Sequence, residues 1–167
     1  MPKYSYKKYS KDDQQILARW AAGCAERVLH IFEAEANGDM RPRNAIVKCK
    51  EWADTGVFKM SVIREASLGS HLAARDVVDK EAACMAAHAA GQAVATAHVT
   101  QHAYGASYYA LKAIVASSSN GYEDAMKEAV WERDQLPLKL RDEIMKRIII
   151  KKEKNKTLIK IDKEYGI

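Results

Sequence analysis

Residues 79–102 read DKEAACMAAHAAGQAVATAHVTQH. Within them Ala83, Ala87, Gly91 and Ala95 recur every four positions. Residues four apart share one face of a helix. Side chains this small let a second helix come close, because the distance between packed helices is set by the residues at the contact. Alanine also loses the least side-chain entropy in a helix. Asp79 reads as an N-cap, and the helix is expected to run to about His102. The run is too polar to span a membrane, since His88, Gln92 and His98 interrupt it and a span needs ~20 strongly apolar residues. It is expected to be the central helix of a bundle.

Working outward, the same periodicity predicts further helices on both sides. The first spans about Lys11 to Glu35, capped by Ser10, with Leu17, Trp20, Cys24, Val28 and Ile31 as its apolar stripe. The second starts at Arg41-Pro42-Arg43, where proline suits a first turn, and turns Ile46, Cys49 and Trp52 inward. The third covers about Lys59 to Val78, with Ile63, Ala66, Ser70, Ala74 and Val77 on one side. After the 79–102 helix, Tyr104-Gly105 reads as a break before a fifth helix to about Ser117. The sixth is expected over about Glu123 to Gln135, around Met126, Ala129 and Val130, and the seventh after Leu136-Pro137, with Leu140, Ile144 and Ile148 inward. Past Ile150 the chain becomes lysine-rich and is expected to fray, with a weak strand signal at Leu158 to Ile161. The fold class is therefore all-α, a single compact bundle or array of about six to seven helices around the Ala-rich one. A basic arm at 1–10, a helical domain at 11–150 and a lysine-rich extension at 151–167 complete the expected organisation.

The 167 residues suit one domain with a core of its own. Cys24, Cys49 and Cys84 are odd in number and form no CxxC, so they read as buried, reduced thiols of a cytoplasmic protein. The first ten residues lack the apolar core of a signal peptide. Net charge is +5, and from Lys139 to Lys163 ten Lys or Arg stand against four Asp or Glu. That excess can attract nucleic acid or another acidic partner; a solvated terminal extension is the preferred reading. Tyr4, Tyr6 and Tyr9 among Lys3, Lys7 and Lys8 could stack on bases, against the plainer reading of a disordered basic arm with chance aromatics.

No complete catalytic set is present. Gly-x-Ser-x-Gly, both phosphate-loop patterns and His-Glu-x-x-His are missing from the sequence. His98 and His102, four apart, would share a face of the central helix and could clamp a metal, with His71 as a third ligand. Hydrogen-bonded histidines between helices are the favoured alternative, and no cofactor is expected. On the third helix Arg64, Leu68, His71 and Arg75 fall on one line. That line faces either a partner or the polar stripe Glu81, His88 and Gln92 of the next helix. Trp20, Trp52 and Trp131 lie on or beside apolar stripes and read as core.

Several segments together resemble a known family. They are residues 18–29, ARWAAGCAERVL, then Arg41-Pro42-Arg43-Asn44-Ala45-Ile46 leading to Trp52, and His71-Leu72-Ala73-Ala74-Arg75. Residues 90–99, AGQAVATAHV, 102–106, HAYGA, and 109–113, YALKA, continue the series. Their order and spacing resemble the all-α predicted immunity proteins of bacterial polymorphic toxin systems, over about residues 16–145. The resemblance implies a cytoplasmic protein, not an enzyme, that binds and neutralises a cognate toxin encoded nearby. It carries over no catalytic residues. The partner-facing residues proposed from the chain itself are Arg64, His71, Arg75, His98 and His102. Self-association, a metal-binding role for the histidines and a nucleic-acid-binding role for the basic tail remain open alternatives. A net charge of +5 argues against a nuclease with a basic active site as the target, or against occlusion of the active site as the mechanism.

Overall fold

Ser10 begins the first helix by accepting a hydrogen bond at Oγ from the Asp13 amide, 3.1 Å away. Asp12 and Asp13 in that first turn complement the positive end of the helix dipole. The computed structural model describes residues 7–162. Seven helices follow in order among them: α1 Lys11–Glu35, α2 Arg41–Thr55, α3 Met60–Asp76, α4 Glu81–Ala95, α5 His102–Ser117, α6 Gly121–Asp134 and α7 Leu138–Met145. An antiparallel pair of strands, β1 Ile148–Glu153 and β2 Lys156–Ile161, closes the order. The α2–α3 turn needs the left-handed backbone of Gly56, φ 64°, which L side chains rarely adopt.

The helix α4 is the hub, packed against α1, α2, α3 and α5. Its Ala83, Ala87, Ala90, Ala93 and neighbouring small residues are fully or almost fully buried. Around it the core is filled by Leu17, Trp20, Phe32, Ile46 and Trp52 from α1 and α2, and by Tyr104 from α5. The Cys49 thiol donates to carbonyls of both neighbours, Ala18 at 3.3 Å and Ala93 at 3.1 Å. All three cysteines are free and buried. Burial pushes the Cys49 thiol up to about 12, so it is a packing residue and not a nucleophile.

The structure corrects four expectations. First, α4 stops at Ala95, not at His102. The chain tightens there, with Thr96, Ala97 and His98 amides bonding three residues back. Gln14 of α1 holds the new turn through its Nε2, donating to the Thr96 and Ala97 carbonyls at 2.9 and 3.2 Å. Second, α5 starts at His102 and runs straight through Tyr104 and Gly105, where a break was expected. Gly105 leaves room for Gln92: a Cβ there would lie 2.7 Å from Gln92 Oε1 and push that side chain aside. Third, α6 is rotated. Met126 and Val130 are exposed, while Ala125, Glu128 and Glu132 face inward. Fourth, the segment expected to fray past Ile150 is the β1–β2 hairpin, in register Ile148↔Ile161, Ile150↔Ile159 and Glu153↔Lys156. Ile159 is buried with Leu111 of α5 and Ala125 of α6 in a second, smaller core.

The described part of the basic arm is docked. Lys7 pairs with Glu143, and the Tyr9 hydroxyl lies 2.6 Å from both Glu143 Oε1 and the Tyr104 hydroxyl. Tyr4, Tyr6 and Lys3, considered for base stacking, lie outside the described residues. Among the described residues no helix is long and apolar enough to cross a membrane.

Candidate functional site

The end of α4 places His98 in the turn and His102 at the first position of α5, so the two do not share a helix face as expected. They are nonetheless brought together. With Arg64, Ser67 and His71 of α3 they line a cavity of about 370 Å³, walled by Met60, Ile63 and Leu68. Four of the five residues proposed to face a partner therefore meet at one place. Arg75, one helical turn beyond His71, is exposed but outside this cavity.

Behind the cavity runs a polar seam between α3, α4 and α5. His71 and His88 approach Nδ1 to Nδ1 at 2.7 Å, and the His88 ring packs on Tyr109 with centroids 5.0 Å apart. His102 Nδ1 lies 2.7 Å from Gln92 Oε1. Ser67 and Ser70 donate to the Gly91 and Ala87 carbonyls at 3.0 and 2.7 Å. These bonds satisfy polar groups that would otherwise be costly between helices. Gly91 makes the seam possible, because a Cβ there would sit 2.8 Å from the His71 ring. Burial drives His71 down to about 4, with the His88, His102 and Arg75 charges adding to it. Burial also lowers His88 and His102. At neutral pH the His71 imidazole is uncharged.

The seam answers part of the question about the α3 polar line. His71 turns toward α4 and bonds it. Arg64 and Arg75 face solvent and make no hydrogen bond or ion pair with a described residue. The metal reading gains no support from the geometry: among the described residues no group of three or more His, Cys, Asp or Glu could hold a metal ion. His71 and His102 each have Nδ1 already engaged.

Sequence reasoning placed Leu68 on this face but missed the other apolar residues around it. Val57, Phe58, Met60, Leu68 and Leu72 are 43–65% exposed, and Phe58 stacks on His98 with ring centroids 6.4 Å apart. The signal was readable. Leu68 and Leu72, four apart, lie on the side of α3 opposite Ile63, Ser70 and Ala74, and Met60 borders that side. A helix with apolar residues on two faces has one to spare for a partner.

A second cavity of about 620 Å³ opens on the other side of His102, between Tyr108, Tyr109 and strand β2. Elsewhere Glu132 is fully buried, bonded by the Ser107 hydroxyl, with the Cys24 thiol against its carboxyl. Burial raises it to about 8. Neither place converges the nucleophile, base and oxyanion donors of a catalytic centre.

No curated protein and no solved structure matches the chain. Residues 7–139, which hold α1 to α6 and the whole α3 face, match the family described as "Imm-5 like putative immunity protein", and the chain belongs to that family.

Proposed function

We propose that this protein is the immunity partner of a bacterial toxin, acting in the cytoplasm within a polymorphic toxin system and neutralising the toxin by stoichiometric binding. The observation that carries the reading is the family match over residues 7–139. The geometry is consistent with binding, not turnover. The histidine seam is internally bonded, while the α3 face offers exposed apolar side chains beside arginines that make no hydrogen bond or ion pair with a described residue. Met, aromatic and Arg side chains are the types enriched at interface centres. The contact face is built on Arg64, Arg75 and His98, with His71 and His102 in the wall behind them. A stable complex of this kind buries ~1,200–2,000 Å² in total, so the face would extend from the α2–α3 turn along α3.

Co-expression with the protein encoded beside this chain tests the reading. The expected result is a complex that survives gel filtration at a fixed one-to-one ratio. Two proteins that elute separately at micromolar concentration would contradict it.

A further inference from the structure

We propose that the cavity between α3 and the α4–α5 turn is a socket for a carboxylate side chain of the toxin, which enters between Arg64 and His98 with apolar neighbours resting on Met60 and Leu68. The toxin's contacting segment is then acidic at its tip and apolar on its shoulders. This inference rests on the toxin-binding reading above and adds the chemistry of the partner.

Charge is the first support. Arg27, Arg41 and Arg43 all hold carboxylates of this chain. Arg64, at the lip of the cavity, holds none among the described residues. Lys59, just before Met60, is exposed and makes no ion pair with a described residue. Glu65 is exposed too, but one residue along a helix it is turned about 100° away from Arg64. The mouth is thus left cationic, and a planar guanidinium with a free fork matches a carboxylate in two parallel hydrogen bonds.

The walls give the second support. A cavity of about 370 Å³ admits a side chain with its last waters. The Gln92 bond fixes the His102 ring through Nδ1 and leaves Nε2 without a partner among the described residues. Phe58 stacked on His98 fixes that ring from outside. Met60 and Leu68, 44% and 51% exposed, form the rim. Covering them removes apolar surface from water, and the same cover shields the ion pair from salt.

The test uses the protein encoded beside this chain and measures its Kd for full-length variants. Arg64→Glu is expected to weaken binding about tenfold or more, Arg64→Lys clearly less, and Leu68→Ala several-fold. Lys127→Glu, on the exposed side of α6, is expected to bind as wild type. Arg64 is exposed and makes no ion pair with a described residue, so its variants should melt as the parent does; His98→Ala probes the opposite lip if one does not. On the partner, replacing Asp and Glu one at a time is expected to find one whose loss adds nothing further to Arg64→Glu. A complex that tolerates Arg64→Glu, Leu68→Ala and His98→Ala unchanged would overturn the socket and leave the toxin-binding reading intact. Absence of any complex with the wild-type chain would overturn both.

Discussion

Glu132 is a carboxylic acid held where a carboxylate is expensive. It lies on the inner side of α6, fully buried beside Cys24 and Ser107. Burial raises it to about 8, so the folded chain keeps its proton at neutral pH. The unfolded chain releases that proton near the ordinary value of 4.5. Between these values the native state binds more protons than the unfolded one, and stability falls as pH rises. The contribution is complete below about pH 4.5 and lost toward pH 8. Glu132→Gln removes the titration while keeping the shape. In urea unfolding at pH 5 and pH 8, the wild type should lose on the order of 2–4 kcal/mol relative to the variant across that interval. Parallel pH curves for the two proteins would show that Glu132 is ionised in the fold. Gly91 is a second single-residue constraint. Gly91→Ala places a Cβ 2.8 Å from the His71 ring, which His88 holds. The helix itself gains from alanine, yet the displaced ring should leave a net loss of roughly 1–2 kcal/mol. An equal or higher melting temperature would mean that the seam yields freely.

Among the elements, α1 was fully legible, because a Ser cap, two acidic residues and one unbroken apolar stripe all agree. The α4–α5 junction was legible only in part. The small-residue stripe placed α4 at the centre, but nothing local in Thr96-Ala97-His98 announces a stop. The turn is fixed from outside by Gln14, more than eighty residues earlier in the chain. The rotation of α6 was hidden for a different reason. Its buried face carries Glu128 and Glu132, which are tolerated because Arg27 pairs with the first and burial neutralises the second. Hydrophobic periodicity cannot see either compensation. In the hairpin, lysines masked a period-two pattern in which Ile148, Ile150 and Ile159 face α5 and α6. Its docking has a direct consequence. Ile159→Ala should cost about 2–3 kcal/mol in chemical denaturation, as a buried isoleucine does. A change within ~0.5 kcal/mol would mean that the hairpin is not part of the cooperative unit. At the site, the sequence named four residues that line one cavity, Arg64, His71, His98 and His102, but it put His98 and His102 on one helix. They meet because a turn and a helix start converge beside α3.

On the scale of the whole molecule, a net charge of +5 is distributed unevenly in its effect. Much of the surface charge is tied up in ion pairs across helices, such as Arg43 with Glu33 and Lys50 with Glu26. Exposed pairs of this kind contribute little stability. Arg64 and Arg75, which make no such pair with a described residue, are the charges a partner docking on α3 would meet. If an acidic surface docks there, association should slow about tenfold as ionic strength rises from about 0.1 to about 1 M, where the Debye length shrinks from about 10 to about 3 Å. A rate independent of salt would place the interface elsewhere. The central claim is that the chain protects a cell by binding one toxin. Growth of cells making the protein encoded beside it, with and without this chain, measures that claim most directly. Arrest without the chain, full growth with it, and renewed arrest with Arg64→Glu are the predicted result. A neighbour that is harmless alone, or that stops growth despite abundant, folded chain, would contradict it.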